Sequence, residues 1–182
     1  MGTSRYVLAI DPSGNYQEGL GTTGWCLLDV VTNKVCKFGS IYAGNYSCQF
    51  QYWDAHVQLI DSVSGYHPDV VIEDYLLYSN RAEAQTNSRL ETPQLIGILK
   101  YETYKRGLFV YIQTAMQVKT RWDNKLLAKK GYISMTGNRC YIGDVLISDH
   151  IQDSIRHAVH YKTYHNRFKG DNKEERVWRR TL

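Results

Sequence analysis

The order in which apolar runs change character constrains this chain most. "RYVLAI" at 5–10 and the runs at 23–30 and 34–42, the last two joined at "VTNK", read as three successive antiparallel strands. In the next segment Phe50, Trp53, Val57, Ile60 and Val63 recur at three to four residue steps, the period of one helix face, with Ser47 as cap and Gly65 as stop. "VVIEDYLLY" is a continuous apolar run suited to a buried strand. "TPQLIGILKYETYKRG" has Thr92 as N-cap, Pro93 at the first helical position and Gly107 past the end. "LFVYIQ" is a fifth strand and "DNKLLAKKG" a short helix capped by Asp123. "YISMTGNRCYI" is a hairpin turned at Gly137-Asn138, and "SDHIQDSIRHAVHYKTYH" a final helix capped by Ser148. A meander followed by alternating strands and helices implies an α/β domain over 1–165, a mixed sheet flanked by helices, with a loose basic tail at 166–182.

With 182 residues, 43% of them hydrophobic, the chain suits one domain with a full core. No apolar run is long enough to cross a bilayer, and the N-terminus lacks the pattern of a secretory signal. Cys26, Cys36, Cys48 and Cys140 form no C-x-x-C pair, which argues against a zinc ribbon and for reduced, mostly buried thiols in a cytoplasmic protein. Residues 1–99 hold 5 basic and 10 acidic side chains, and residues 100–182 hold 17 and 8. An acidic half beside a basic half suits a metal site next to a polyanion-binding face, and equally an uneven but solvated surface.

Asp11 stands where the first strand ends. Glu73 lies inside the fourth strand, where an acid is costly to bury without a partner. Asp149 and Asp153, with His150 between them, lie in the first turns of the last helix, where neighbours three or four apart share a face. Two strand carboxylates and a helix carboxylate converge if that helix packs across the sheet. Oxygen-rich clusters of that kind suit Mg²⁺, or Mn²⁺ in its place. Plainer readings exist. Asp11-Pro12-Ser13-Gly14 is also an ordinary turn, and Asp149 and Asp153 also answer a helix dipole.

"VLAIDPS" followed by "TGWCLLD", then "DVVIEDYLLYSN", "QVK" at 117–119 and "SDHIQDSIRHAVHY" together resemble the RNase H-like superfamily, and within it the RuvC family of Holliday-junction resolvases. The resemblance covers most of residues 5–165 and implies a five-stranded RNase H-like sheet, three antiparallel strands and then parallel ones. It implies Asp11, Glu73 and Asp153 as metal-binding carboxylates and His150 as the remaining ligand, with Asp149 the adjacent alternative. It further implies Lys119 near the scissile phosphate and Lys125 as a looser second lysine. The implied activity is Mg²⁺-dependent hydrolysis of four-way and related branched DNA by a homodimer. Its interface is expected on the helix after Thr92, through Leu95, Ile98, Leu99 and Glu102. Lys119, Arg121, Lys125, Lys129 and Lys130 would meet phosphates, and Tyr75, Leu76, Leu77 and Tyr78 are candidates for stacking or wedging at the branch.

The departures are a longer first loop, "PSGNYQEGLGT"; "TRWD" where a Gly-rich piece is expected; an insert at 131–143; and the tail. They suggest a divergent, phage-encoded member. Two other classes compete. A sugar-kinase-like ATPase would need a second phosphate loop and a second domain, which 182 residues do not hold. A non-catalytic branched-DNA-binding module would keep the basic surface without needing the three acids. A less selective flap and branch nuclease would use the same site.

Overall fold

The computed structural model describes residues 3–76 and 90–168. The main sheet has five strands: β1 (Tyr6–Asp11), β2 (Thr22–Asp29), β3 (Lys34–Tyr42), β4 (Asp69–Glu73) and β5 (Val110–Gln113), in the order β3-β2-β1-β4-β5. β1, β2 and β3 pair antiparallel, and β4 lies parallel to both β1 and β5. Helices α1 (Gln49–Ser64) and α2 (Glu91–Lys105) belong to one face, and α5 (Asp149–Tyr164) to the other. Between β5 and α5 come α3 (Ala115–Lys119), α4 (Asn124–Lys129) and a small antiparallel sheet of β6 (Ser134–Thr136), β7 (Arg139–Ile142) and β8 (Val145–Leu146).

The alternation of strand side chains sorts the core into two layers. Val7, Ala9 and Val71 pack with Ile151, Ile155 and Ala158 of α5. Leu8, Ile10, Val70 and Ile72 pack with Leu59, Ile60 and Val63 of α1 and Leu95 and Leu99 of α2. Residues 7 to 10 and 70 to 72 are wholly buried, each large aliphatic among them contributing about 1.5–3 kcal/mol. This is why the β1 and β4 runs are apolar on both sides.

Several sequence expectations are corrected. The inward face of α1 carries Tyr52, His56, Leu59, Ile60 and Val63, while Phe50 is 69% exposed. Tyr52 and His56 turn inward because their polar atoms find partners there. The Tyr52 hydroxyl donates to the Ser13 carbonyl at 2.6 Å, and His56 lies 2.7 Å from the Tyr52 carbonyl and 2.8 Å from Thr23 Oγ1. Cys48, not Ser47, is the N-cap, because Ser47 uses its backbone and hydroxyl on Gln51. The fourth strand stops at Glu73 instead of running on to Tyr78. α2 is entered through Leu90 in a left-handed conformation, and the Thr92 hydroxyl accepts from the Gly14 backbone at 2.9 Å instead of capping the helix. Leu95 and Leu99 are fully buried against the sheet and so cannot meet a partner chain, whereas Ile98 is half-buried and Glu102 pairs with Arg106. Asn166 is tied to the Ser4 carbonyl at 2.8 Å and to Asp69 at 3.1 Å, so the start of the tail is not loose. Cys26 and Cys140 are buried, but Cys36 is exposed and Cys48 half-buried. Helix α3 and strand β8 have no counterpart in the sequence reading.

Candidate active site

The same strand alternation places the acids. Asp11 follows Val7 and Ala9, and Glu73 follows Val71, so both fall on the α5 side of the sheet at the carboxyl ends of adjacent parallel strands. Gln113 is the register partner of Glu73 on β5 and follows Tyr111, which also packs on the α5 side. α5 crosses above with His150, Asp153 and His157 at steps of three and four, one continuous face.

Each of the three residues on this face engages a different part of the site. His150 Nδ1 lies 2.8 Å from Asp11 Oδ2. His157 Nε2 lies 2.8 Å from Glu73 Oε2, and its Nδ1 lies 2.9 Å from Gln113 Oε1. Asp153 accepts Lys119 Nζ at 2.9 Å and is also paired with Arg156. Arg156 in turn donates to Asn124, whose Nδ2 donates to Gln152 Oε1 at 2.7 Å. Asp149 is exposed and accepts from Gln152 Nε2 at 3.2 Å, on its own helix and not in the cluster.

Electrostatics tie the acids together. Burial raises the Asp11 carboxyl above its ordinary range; the His150 hydrogen bond opposes this, and the nearby charges of Glu73 and Asp153 add to it. His150 is raised, first by its hydrogen bond to Asp11, against its partial burial. Burial alone would lower the Lys119 ammonium, but the hydrogen bond and charge of Asp153, with Glu73 and Asp11 behind it, raise it overall. Three carboxylates that feel one another are thus held beside Lys119, Arg156 and two histidines.

The donor set, three carboxylates and an imidazole, suits a hard divalent cation of the Mg²⁺ or Mn²⁺ kind. Among the described residues no three such side chains already point at one centre. The reason is visible: each carboxylate is turned onto a cationic or hydrogen-bonding neighbour. Asp11, Glu73 and Asp153 would hold such a cation only if Asp153 let go of Lys119 and Arg156, and Asp11 of His150.

Two glycines let the backbone close around the site. A Cβ on Gly24 of β2 would lie 2.2 Å from the His150 carbonyl carbon, so only glycine allows α5 to start this close to the sheet. A Cβ on Gly14 would meet the Glu91 backbone at 2.2 Å. The long loop after Asp11 is therefore docked on the start of α2. Its root is held by Ser13, whose backbone N–H donates to Thr23 Oγ1 at 3.1 Å.

Lys119 lies on α3, which Thr114 starts with a capping box. Arg121 lies over the Tyr164 ring at 5.0 Å, and Lys125, Lys129 and Lys130 are exposed on or just after α4. Tyr75 packs on the α1 and α2 side of the core and Leu76 is half-buried, while Leu77 and Tyr78 lie outside the described residues. Sequence reasoning missed His157, Gln113, Arg156 and Asn124. The helical step from Asp153 to His157 was available as a signal for the first of these.

No protein-family model matches the chain, and no curated protein matches it by sequence. Solved structures do. That of Thermus thermophilus RuvC in complex with a Holliday junction substrate superposes with a TM-score of 0.63 at 16% identity, over 87% of this chain and 93% of that one. That of Thermus thermophilus RuvC superposes with a TM-score of 0.61 at 16% identity, over 87% and 94%. The fold is RuvC-like. At this identity the likeness speaks for the architecture, and it agrees with the mixed sheet and flanking helices expected from the sequence. No helix among the described residues is long and apolar enough to cross a membrane.

Proposed function

We propose that this chain is a Mg²⁺-dependent endonuclease that cuts four-way DNA junctions and related branched DNA. The observation that carries the reading is the joint placement of Asp11, Glu73 and Asp153 on one side of the sheet, beneath one helix, within electrostatic reach of one another. The RuvC-like fold, shared with a RuvC solved in complex with a Holliday junction substrate, supports branched DNA as the substrate class.

Asp11, Glu73 and Asp153 would hold the cation, with His150 as the nitrogen ligand; Asp149 is turned onto Gln152 of its own helix and takes no part. When bound, Mg²⁺ would polarise the phosphodiester and lower the cost of water attack. The remaining tasks fall to the chain. Lys119, once released from Asp153, would pair with a phosphate oxygen. Arg121, Lys125, Lys129 and Lys130 would meet flanking phosphates, with binding that weakens as salt rises. Leu76 and Leu77 follow Glu73 in the sequence and would meet unpaired bases at the branch, whereas Tyr75 is packed on the α1 and α2 side of the core. A homodimer would set two such sites on a two-fold junction. Its interface would lie on the outer face of α2, where Tyr101 is 61% and Tyr104 75% exposed, and not on Leu95 or Leu99.

The test is cleavage of synthetic four-way junctions, forks and linear duplex by wild type and Glu73→Gln, with and without Mg²⁺. Cleavage of the junction by wild type only, and only with the metal, is expected. Full activity of Glu73→Gln would sink the site assignment. Equal cutting of linear duplex would turn the reading toward an unselective nuclease. Tight junction binding without cleavage under any metal would make the chain a binding module.

A further inference from the structure

The sequence reading gives His157 no role, yet its side chain is buried at the site, at 1% exposure. It sits between two fixed groups. Nε2 faces Glu73 Oε2 at 2.8 Å and Nδ1 faces the Gln113 side-chain amide at 2.9 Å. A nitrogen this close to a carboxylate oxygen carries the hydrogen. With the ring hydrogen on Nε2, an Nδ1 that carries none needs a donor.

Gln113 supplies one. Its Nε2 is buried and finds no hydrogen-bond partner, while its Oε1 is the atom set against His157. Turning the amide over puts that nitrogen on Nδ1 as donor, and leaves the unpartnered position to an oxygen, which tolerates it better than an N–H does. The requirement at Glu73 and the orphaned amide thus point to the same arrangement. Gln113 donates to His157 Nδ1, and His157 Nε2–H donates to Glu73.

We propose that His157 is a positioning residue. Held by Gln113, it fixes one carboxylate oxygen of Glu73 and leaves the other for the divalent cation. The inference rests on the reading of Glu73 as a metal ligand. Three facts of placement support it. Glu73 and Gln113 are register partners on neighbouring parallel strands. His157 lies on the same face of α5 as His150 and Asp153. Burial of His157 and Gln113 excludes water as a substitute partner. Hydrogen-bonded groups behind metal ligands are worth about 10–100-fold in metal affinity.

The experiment is calorimetric titration of Mn²⁺ into the full chain, comparing wild type, Glu73→Gln, His157→Leu and His157→Gln, with circular dichroism as the check on folding. His157→Leu should weaken Mn²⁺ binding about 10–100-fold. His157→Gln, which keeps an amide N–H near the place of Nε2, should recover most of that loss; a merely structural role for the ring predicts no such rescue. Should His157→Leu fail to fold, ¹⁵N spectroscopy of the wild-type imidazole decides: a protonated Nε2 supports the arrangement and an unprotonated Nε2 overturns it. Loss of Mn²⁺ in Glu73→Gln with wild-type affinity in folded His157→Leu overturns this inference alone. A wild type that takes up no Mn²⁺, or a Glu73→Gln that binds it as well, overturns the proposed site and the inference together.

Discussion

Replacing Gly24 by alanine should separate α5 from the sheet and disable the site while leaving the chain folded. The added Cβ would stand 2.2 Å from the carbonyl carbon of His150, 2.3 Å from its oxygen and 2.6 Å from the nitrogen of Ile151. All three are backbone atoms, so no side chain can swing aside. β2 cannot retreat either, because it is hydrogen-bonded to β1 on one side and β3 on the other. Ordinary carbon contacts lie at about 3.5–4.0 Å, so the first turn of α5 has to withdraw by about 1 Å or more. That turn carries His150, and Asp153 follows one turn later. Overpacking of this kind costs about 1–3 kcal/mol, and a misplacement of about 1 Å at a reacting centre costs about 10²-fold in rate. Urea unfolding and junction cleavage measure the two effects. A Gly24→Ala protein that cleaves within about twofold of wild type with an unchanged midpoint would refute the claim that close approach of α5 builds the site. Gly97→Ala is the contrast: Gly97 is an exposed helical glycine with open space around its Cβ position, so alanine should stabilise the fold by about 0.5–1 kcal/mol.

Other outcomes follow from single groups. Burial lowers His56 from 6.5 to about 4, so between those values the unfolded chain binds the extra proton; stability is full above about pH 6.5 and falls by up to about 3 kcal/mol toward pH 4, a limb that His56→Gln should flatten in pH-dependent unfolding. Asp29 is lowered to about 2, chiefly by its hydrogen bonds from Arg5, and its contribution is present above the unfolded carboxylate value and lost as pH falls through about 2; Asp29→Asn should cost about 2 kcal/mol at neutral pH by chemical denaturation. Lys119→Met should reduce cleavage yet tighten Mn²⁺ binding, by no more than about fivefold because an ion pair this exposed is worth at most about 1 kcal/mol; weaker Mn²⁺ binding would argue against Lys119 as the group the cation displaces. Chelation of divalent metal should abolish cleavage without changing the circular dichroism spectrum, since the core clusters are apolar and complete without it.

Much of this molecule can be read from its residues one stretch at a time. Alternation and helical period are local properties, and they determined five strands of the main sheet, the long helices and the caps at Asp123 and Ser148. They made Asp11 and Glu73 conspicuous, as acids at the end of and within apolar runs, while Asp153 was set apart from Asp149 only by the resemblance. The tertiary structure decided the rest, wherever a side chain's meaning depends on a partner far along the chain. Tyr52 and His56 look like solvent-facing positions of α1 until Ser13 and Thr23 are set against them. Thr92 looks like a cap until Gly14 takes its hydroxyl. Leu95 and Leu99 fit an interface or a core equally well by period, and only the sheet beneath them removes the choice. His157 is one of several histidines in a polar-looking helix until the fold brings Glu73, 84 positions earlier in the chain, against it. Hydrophobic period carries the sign of a face but not its partner. The partners of buried polar atoms are therefore fixed by three-dimensional placement alone.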